Sequence, residues 1–141
     1  MIIPCEVAVK SVVPAVKALM AQTLVEKHGL KQGQAAELLG ISQSAVSKYT
    51  HRIRGCIIRI GDVEEVQVHI ESMVTLITNG GYERADLLRL FCQACEAIRG
   101  KGLMCECCKR ADPGLVISEC RLCFSSNEKR AVGKRKRQLR R

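Results

Sequence analysis

Tryptophan is absent from this 141-residue chain, and Tyr49, Tyr82, Phe91 and Phe124 are its only aromatic residues. A core without large rings must be aliphatic and modest, and a chain of this size then needs a partner chain or a metal for stability. Also missing is a basic segment followed by an apolar core at the start, MIIPCEVAVK, and no apolar run approaches the roughly twenty residues of a membrane span. These absences predict a soluble, cytoplasmic protein with no membrane partner. The three histidines, His28, His51 and His69, are scattered, no Ser or Cys nucleophile is matched with a base, and no βαβ pattern surrounds the cysteine pairs. The sequence therefore predicts no enzyme and shows no small-molecule substrate.

Acidic residues are scarce at both ends. Residues 1–60 hold eight Lys/Arg against three acids, a net of +5, whereas residues 61–99 carry −4, residues 100–123 carry +1 and residues 124–141 carry +7. A basic first segment and tail, separated by an acidic middle, point to a polyanion partner at the two ends.

The pattern that organises the chain lies in residues 31–54, KQGQAAELLGISQSAVSKYTHRIR. Ala35, Leu38 and Leu39 give a short helix an inward face, Gly40 supplies a turn tolerant of positive φ, and Ile41, Val46 and Tyr49 direct a second helix back at the first. A close, steep crossing needs a small contact residue, which Ala36 provides. Ser42 is placed to cap the second helix, leaving Gln43, Ser44, Ser47 and Lys48 on its outer and leading faces. An ordinary solvated helix would carry Glu and Lys there. Gln can instead pair bidentately with adenine, while Ser and Lys reach bases or phosphates, so these residues are read as contacts to double-stranded DNA, with His51, Arg52 and Arg54 on phosphates. The competing reading is a plain helical hairpin.

Over residues 4–55, and most specifically at Pro4-Cys5-Glu6 and from Ala36 through Ser47, the chain resembles the N-terminal domain of predicted archaeal transcriptional regulators with lambda-repressor-like helix-turn-helix domains. In archaeal thiamine regulators the same type of domain is joined to a thiamine-phosphate-synthase-like effector domain. The resemblance implies a DNA-binding regulator, although 141 residues leave no room for that effector.

Around this segment the periodicity predicts further helices. One spans 11–28, with Ser11 as N-cap, Pro14 in its first turn, and Val12, Val16, Leu19, Met20 and Leu24 as its stripe. Cys56 to Ile60, CIIRI, reads as a wing strand or a linker. Apolar residues at helical spacing mark 62–79, stopped by Asn79-Gly80-Gly81, and a second helix from about 83 to 99 turns Leu87, Leu88, Phe91, Ala94 and Ile98 inward. This pair either braces the first domain or forms a homodimer, as helix-turn-helix proteins that read two half-sites require.

Nine cysteines without a secretory signal favour metal or redox chemistry over structural disulfides. Three CxxC pairs stand out: Cys92 with Cys95, Cys105 with Cys108, and Cys120 with Cys123. A tight turn between paired thiolates can aim both at one ion, and the last two pairs, bracketing Asp112-Pro113-Gly114, complete a four-thiolate set. Zinc is one reading. Surplus thiols suit an iron–sulfur cluster of the 4Fe-4S type in which Cys92 or Cys95 replaces one of the later ligands, and it is slightly preferred because a regulator without an effector domain must sense something; the other reading of Cys92 and Cys95 is as small buried hydrophobes. Cys107 is expected outside the ligand set, and Cys5 and Cys56 are expected to pack in the first domain.

The predicted fold is mostly α. A helix-turn-helix domain at 1–60 is followed by a dimerising or bracing helical segment at 61–99, a cysteine-rich metal or iron–sulfur module at 92–123, and a disordered basic tail at 124–141. The predicted function is a sequence-specific DNA-binding regulator whose binding the metal centre modulates. The alternative is an adaptor whose zinc module contacts the transcription machinery without sensing.

Overall fold

The computed structural model describes residues 2–52 and 58–123, and every regular element among them is helical. The first helix, α1 (Pro4–Lys10), starts at a proline whose missing N–H would have had no intrahelical partner. It corrects the expectation that helix begins at Ser11. Ser11 caps nothing: its buried hydroxyl donates to the Val7 carbonyl at 2.7 Å. With no N–H, Pro14 cannot bond back to the carbonyl of Lys10, so the helix breaks at Ser11 and resumes as α2 (Val12–Gln22).

A π-helical turn, Thr23–Lys27, extends α2, and Gly29 then reverses the chain with φ 66°. Taken together, Pro4–Lys27 forms a 24-residue run long and apolar enough to cross a membrane by length and composition. This corrects the expectation that no such run exists, since Lys10 and Lys17 only interrupt it. Its most apolar window is 61% buried, as in a core helix of a folded domain. Val12, Val16, Ala21 and Leu24 have no exposed surface at all.

Next come α3 (Gln32–Leu39) and α4 (Gln43–Thr50), joined through Gly40, whose φ of 63° is left-handed as the sequence requires. The turn closes by an Ile41 N–H bond to the Ala36 carbonyl at 3.0 Å, satisfying one of the last acceptors of α3. Ala35, Ala36, Val46 and Tyr49 are buried at the crossing. Leu38, expected inward, is 37% exposed: Ala35, Ala36 and Leu39 already define the buried stripe, and Leu38 falls beside it.

After residues 58–60, α5 (Glu64–Asn79) and α6 (Arg84–Gly100) form an antiparallel hairpin. Their bounds lie close to those expected. Val66, Ile70, Met73, Val74 and Ile77 face Ala94 and Ile98 in the core, each large one contributing about 1.5–3 kcal/mol of burial. Leu88 was expected inward but is 51% exposed, because Leu87 and Phe91 occupy the side of α6 packed on the core. Helix α2 is the hub, touching α1, α3, α4, α5 and α6, so the hairpin braces the reading head within one chain.

The described part of CIIRI, residues 58–60, is linker, with Ile58 and Ile60 buried and Arg59 exposed, and no strand occurs among the described residues. Cys56, Arg54 and the basic tail at 124–141 lie outside the described residues. The last helix among the described residues, α7 (Cys105–Ala111), packs on α1 and is followed by non-helical chain as far as the described residues reach, at Cys123.

Candidate nucleic-acid interface and thiol site

Ser42 begins α4 as its extended N-cap, and its hydroxyl accepts the Ala45 N–H at 3.1 Å. With that end fixed, Gln43, Ser44 and Lys48 project into solvent, while Ser47 is half-buried between them and the core. No acidic side chain occurs from Ser42 to Arg52, so the face presents only neutral donors and acceptors and positive charge. Gln43 lies close to Gly33 on α3: a Cβ added at Gly33 would sit 3.6 Å from Gln43 Oε1.

Two glutamines that the sequence reading passed over hold α4 in place. Gln22 Nε2 on α2 donates to the Tyr49 carbonyl at 2.9 Å, and Gln32 Nε2 on α3 approaches Thr50 Oγ1 at 3.4 Å. A third, Gln34, accepts the Lys31 N–H at 2.9 Å and closes the start of α3. Only this last contact had a sequence signal, a Gln three residues after the cap.

At the far end of α4, His51 is exposed and its Nδ1 donates back to the Ser47 carbonyl at 2.7 Å, leaving Nε2 facing outward. Arg52 follows at φ 58°, the single non-glycine residue with positive φ among the described residues. Its side chain is exposed just past the helix end. Of the eight residues assigned to DNA, seven thus share α4 and its two ends. Arg54 lies outside the described residues.

Residues 22–54 match the helix-turn-helix family. No curated protein and no solved structure matches the chain. The helix-turn-helix domain, of the lambda-repressor-like kind, supports a DNA-binding transcription regulator. The matched span starts at Gln22, the residue that ties α2 to α4, and so includes the brace as well as the two reading helices.

The six cysteines singled out for metal divide into two groups. Cys105, Cys108, Cys120 and Cys123 line one cavity of about 60 Å³, walled by Ile2, Pro4, Val7, Met104, Leu115 and Ile117. Cys92 and Cys95 do not reach it: Cys92 is exposed on α6 and Cys95 is half-buried one turn later. Cys5, expected to pack, is also exposed, because α1 turns Val7 and Ala8 rather than its first turn toward the core. Cys105 and Cys108 sit one helical turn apart on α7, so a helix face rather than a tight turn aims them the same way. Among the described residues, no three His, Cys, Asp or Glu side chains are already gathered to hold an ion. The four sulfurs therefore share a space without converging on a point.

Burial pushes the Cys105 and Cys108 thiols up from their ordinary value, and the neighbouring cysteines, Cys123 first among them, add to the rise. Burial also raises Cys95, against the opposing charge of Arg99. Arg99 Nε donates to Cys123 Sγ at 3.4 Å. Lys109 Nζ bonds the carbonyls of Pro113 and Leu115 at 2.6 and 2.7 Å, and so folds the loop between the two cysteine pairs back onto α7.

Proposed function

We propose that the protein is a sequence-specific transcription regulator that reads double-stranded operator DNA through Gln43, Ser44, Ser47 and Lys48. His51, Arg52 and Arg54 lie on phosphates, and two chains act together as a cytoplasmic homodimer. The observation that carries this reading is the acid-free outer face of α4, capped by Ser42 and tied to α2 through Gln22. Short polar side chains on a braced helix can enter a major groove, and a braced helix loses little entropy on doing so. The resemblance over residues 4–55 to archaeal regulators supports the same reading.

The finer part of the proposal concerns Cys105, Cys108, Cys120 and Cys123. An all-thiolate donor set suits zinc or iron, and thiols that must lose a raised proton do so when an ion replaces it. Because Cys92 and Cys95 do not line the cavity, the ligand set is the four thiols that one zinc ion needs, without the surplus cysteines that suit a cluster. Binding would draw the four sulfurs together, pulling α7 and the loop after it against α1. Because α7 packs on α1, α1 on α2, and α2 on α4, contraction of the site can bias the reading head. A few kcal/mol of differential stability suffices for such a population shift.

Metal analysis of protein purified without oxygen, followed by DNA titration before and after chelation, tests both parts. The expected result is a colourless protein with one zinc per chain and a preferred genomic site whose affinity changes when the metal is removed. A brown protein with iron and acid-labile sulfide would replace zinc by a cluster. Affinity indifferent to chelation would return the cysteine module to the role of an adaptor, and the lack of any preferred site under every metal condition would overturn the regulator.

A further inference from the structure

Resting on the four-thiolate reading, we propose that Arg99 is the outer-sphere partner of that centre, donating through Nε to the Cys123 sulfur and offsetting charge that half-buried, largely apolar surroundings solvate poorly. Four thiolates around a divalent ion carry a net charge of −2. The sulfurs are half-buried here, with the buried Met104 and Val7 on their inner side and the exposed Ile2 and Leu122 at the rim. Burying an anion among such groups is costly unless a cation or donor accompanies it. Arg99 is the one cationic side chain lining the cavity among the described residues, whereas Asp112, which also lines it, adds negative charge.

The geometry is fixed from both sides. Arg99 lies in the last turn of α6, beside the fully buried Ile98, so its backbone is set by the core rather than by the thiol loop. Its Nε stands 3.4 Å from Cys123 Sγ, a normal distance for a sulfur acceptor, and the sulfur belongs to the loop that arrives last in the chain. Of the neighbouring cations, Lys109 is engaged with the carbonyls of Pro113 and Leu115, Arg121 with those of Ser118 and Cys120, and Lys101 with Glu65. A guanidinium suits the task because its planar fork keeps its charge and its further N–H groups when one donor is engaged. Cys95, four residues earlier on the same helix, also feels this guanidinium. Arg99 is thus a positioning residue: it orients Cys123, withdraws electron density from that sulfur, and links α6 to the centre.

The test uses the full-length protein without oxygen and Co²⁺ as the probe, comparing wild type with Arg99→Gln and Arg99→Lys. Wild type should give the intense visible bands of tetrahedral cobalt and the near-ultraviolet charge-transfer band of thiolate ligands. Arg99→Gln, which removes the charge, should bind about 10–100-fold more weakly. Its charge-transfer band should move to longer wavelength, as a more electron-rich sulfur requires, and Arg99→Lys should recover part of the affinity. Wild type that binds normally beside an Arg99→Gln protein of equal affinity and unshifted band would overturn the role of Arg99 alone. Wild type that gives no thiolate-cobalt spectrum would overturn the four-thiolate reading, and the role of Arg99 with it. If Arg99→Gln loses its helical circular dichroism, Arg99→Met, which keeps the aliphatic stem and removes the charge, takes its place, and an unshifted band with wild-type affinity in that variant overturns the proposal.

Discussion

Gln22 Nε2 donates to the carbonyl oxygen of Tyr49 at 2.9 Å, and the same oxygen accepts the Arg52 N–H at 3.1 Å. One side chain from the hub helix therefore gives a terminal acceptor of the reading helix its second partner and ties α4 to α2. Replacing Gln22 by Ala should cost about 1 kcal/mol and lower the thermal midpoint. DNA affinity should fall with it, while the ranking of DNA sequences stays as it was, because Gln22 positions α4 without touching a base. Thermal unfolding and competition binding on a panel of sequences measure the two effects.

Gln43 and the basic tail should fail in opposite ways. Gln43→Ala should relax sequence preference and leave the salt dependence nearly intact, since a lost base contact releases no counterions. Deletion of residues 129–141 removes all eight tail cations and no acid, so it should flatten the salt slope and spare preference. Affinity measured on several sequences across a range of salt concentrations separates the two. Equal weakening on all sequences by both changes would contradict this division.

Arg52 offers a substitution whose two effects differ in sign. A non-glycine residue at φ 58° is strained, so Arg52→Gly should relieve about 1–2 kcal/mol and return part of it to the freer unfolded chain. The expected net is a small rise in stability, together with weaker DNA binding and a salt slope reduced by about one. A variant that is both more stable and equally tight on DNA would remove Arg52 from the phosphate contacts.

The raised thiols of Cys105 and Cys108 make a signed prediction for pH. A pKa higher in the folded than in the unfolded chain stabilises the fold below the unfolded value, and the contribution disappears as pH rises through the folded one. Metal-free protein should therefore lose thermal stability as pH climbs beyond the usual thiol range of about 8.5. Zinc-loaded protein, whose ligands have already given up their protons, should show a flatter profile over the same window. Melting curves with and without chelator, from neutral to alkaline pH, provide the comparison.

Some of this architecture could be read residue by residue. Gly40 in a left-handed turn, Ala36 at the crossing, Ser42 as a cap, and Val46 and Tyr49 inward all follow from local rules, in which sterics and one hydrogen bond decide the outcome. The stripes of α5 and α6 were visible for the same reason, with Leu88 as the exception. Its neighbours Leu87 and Phe91 compete for one buried strip, and only the position of the opposing helix selects between them. Leu38 loses to Ala36 in the same way. The start at Pro4 was obscured because Ser11 and Pro14 imitate a helix beginning, yet here they mark a break between two helices.

The sequence alone determined that a short polar helix follows a glycine turn and that six cysteines fall in three CxxC pairs, because neighbouring residues suffice to impose capping, left-handed φ and helical spacing. Only the tertiary structure decided what lies beside them: Gln22 under Tyr49, Arg99 against Cys123, and Cys92 and Cys95 outside the cavity that the other four share. These pairings join residues far apart in the chain. They depend on how α2 and α6 pack, which is a property of the whole core rather than of any local pattern.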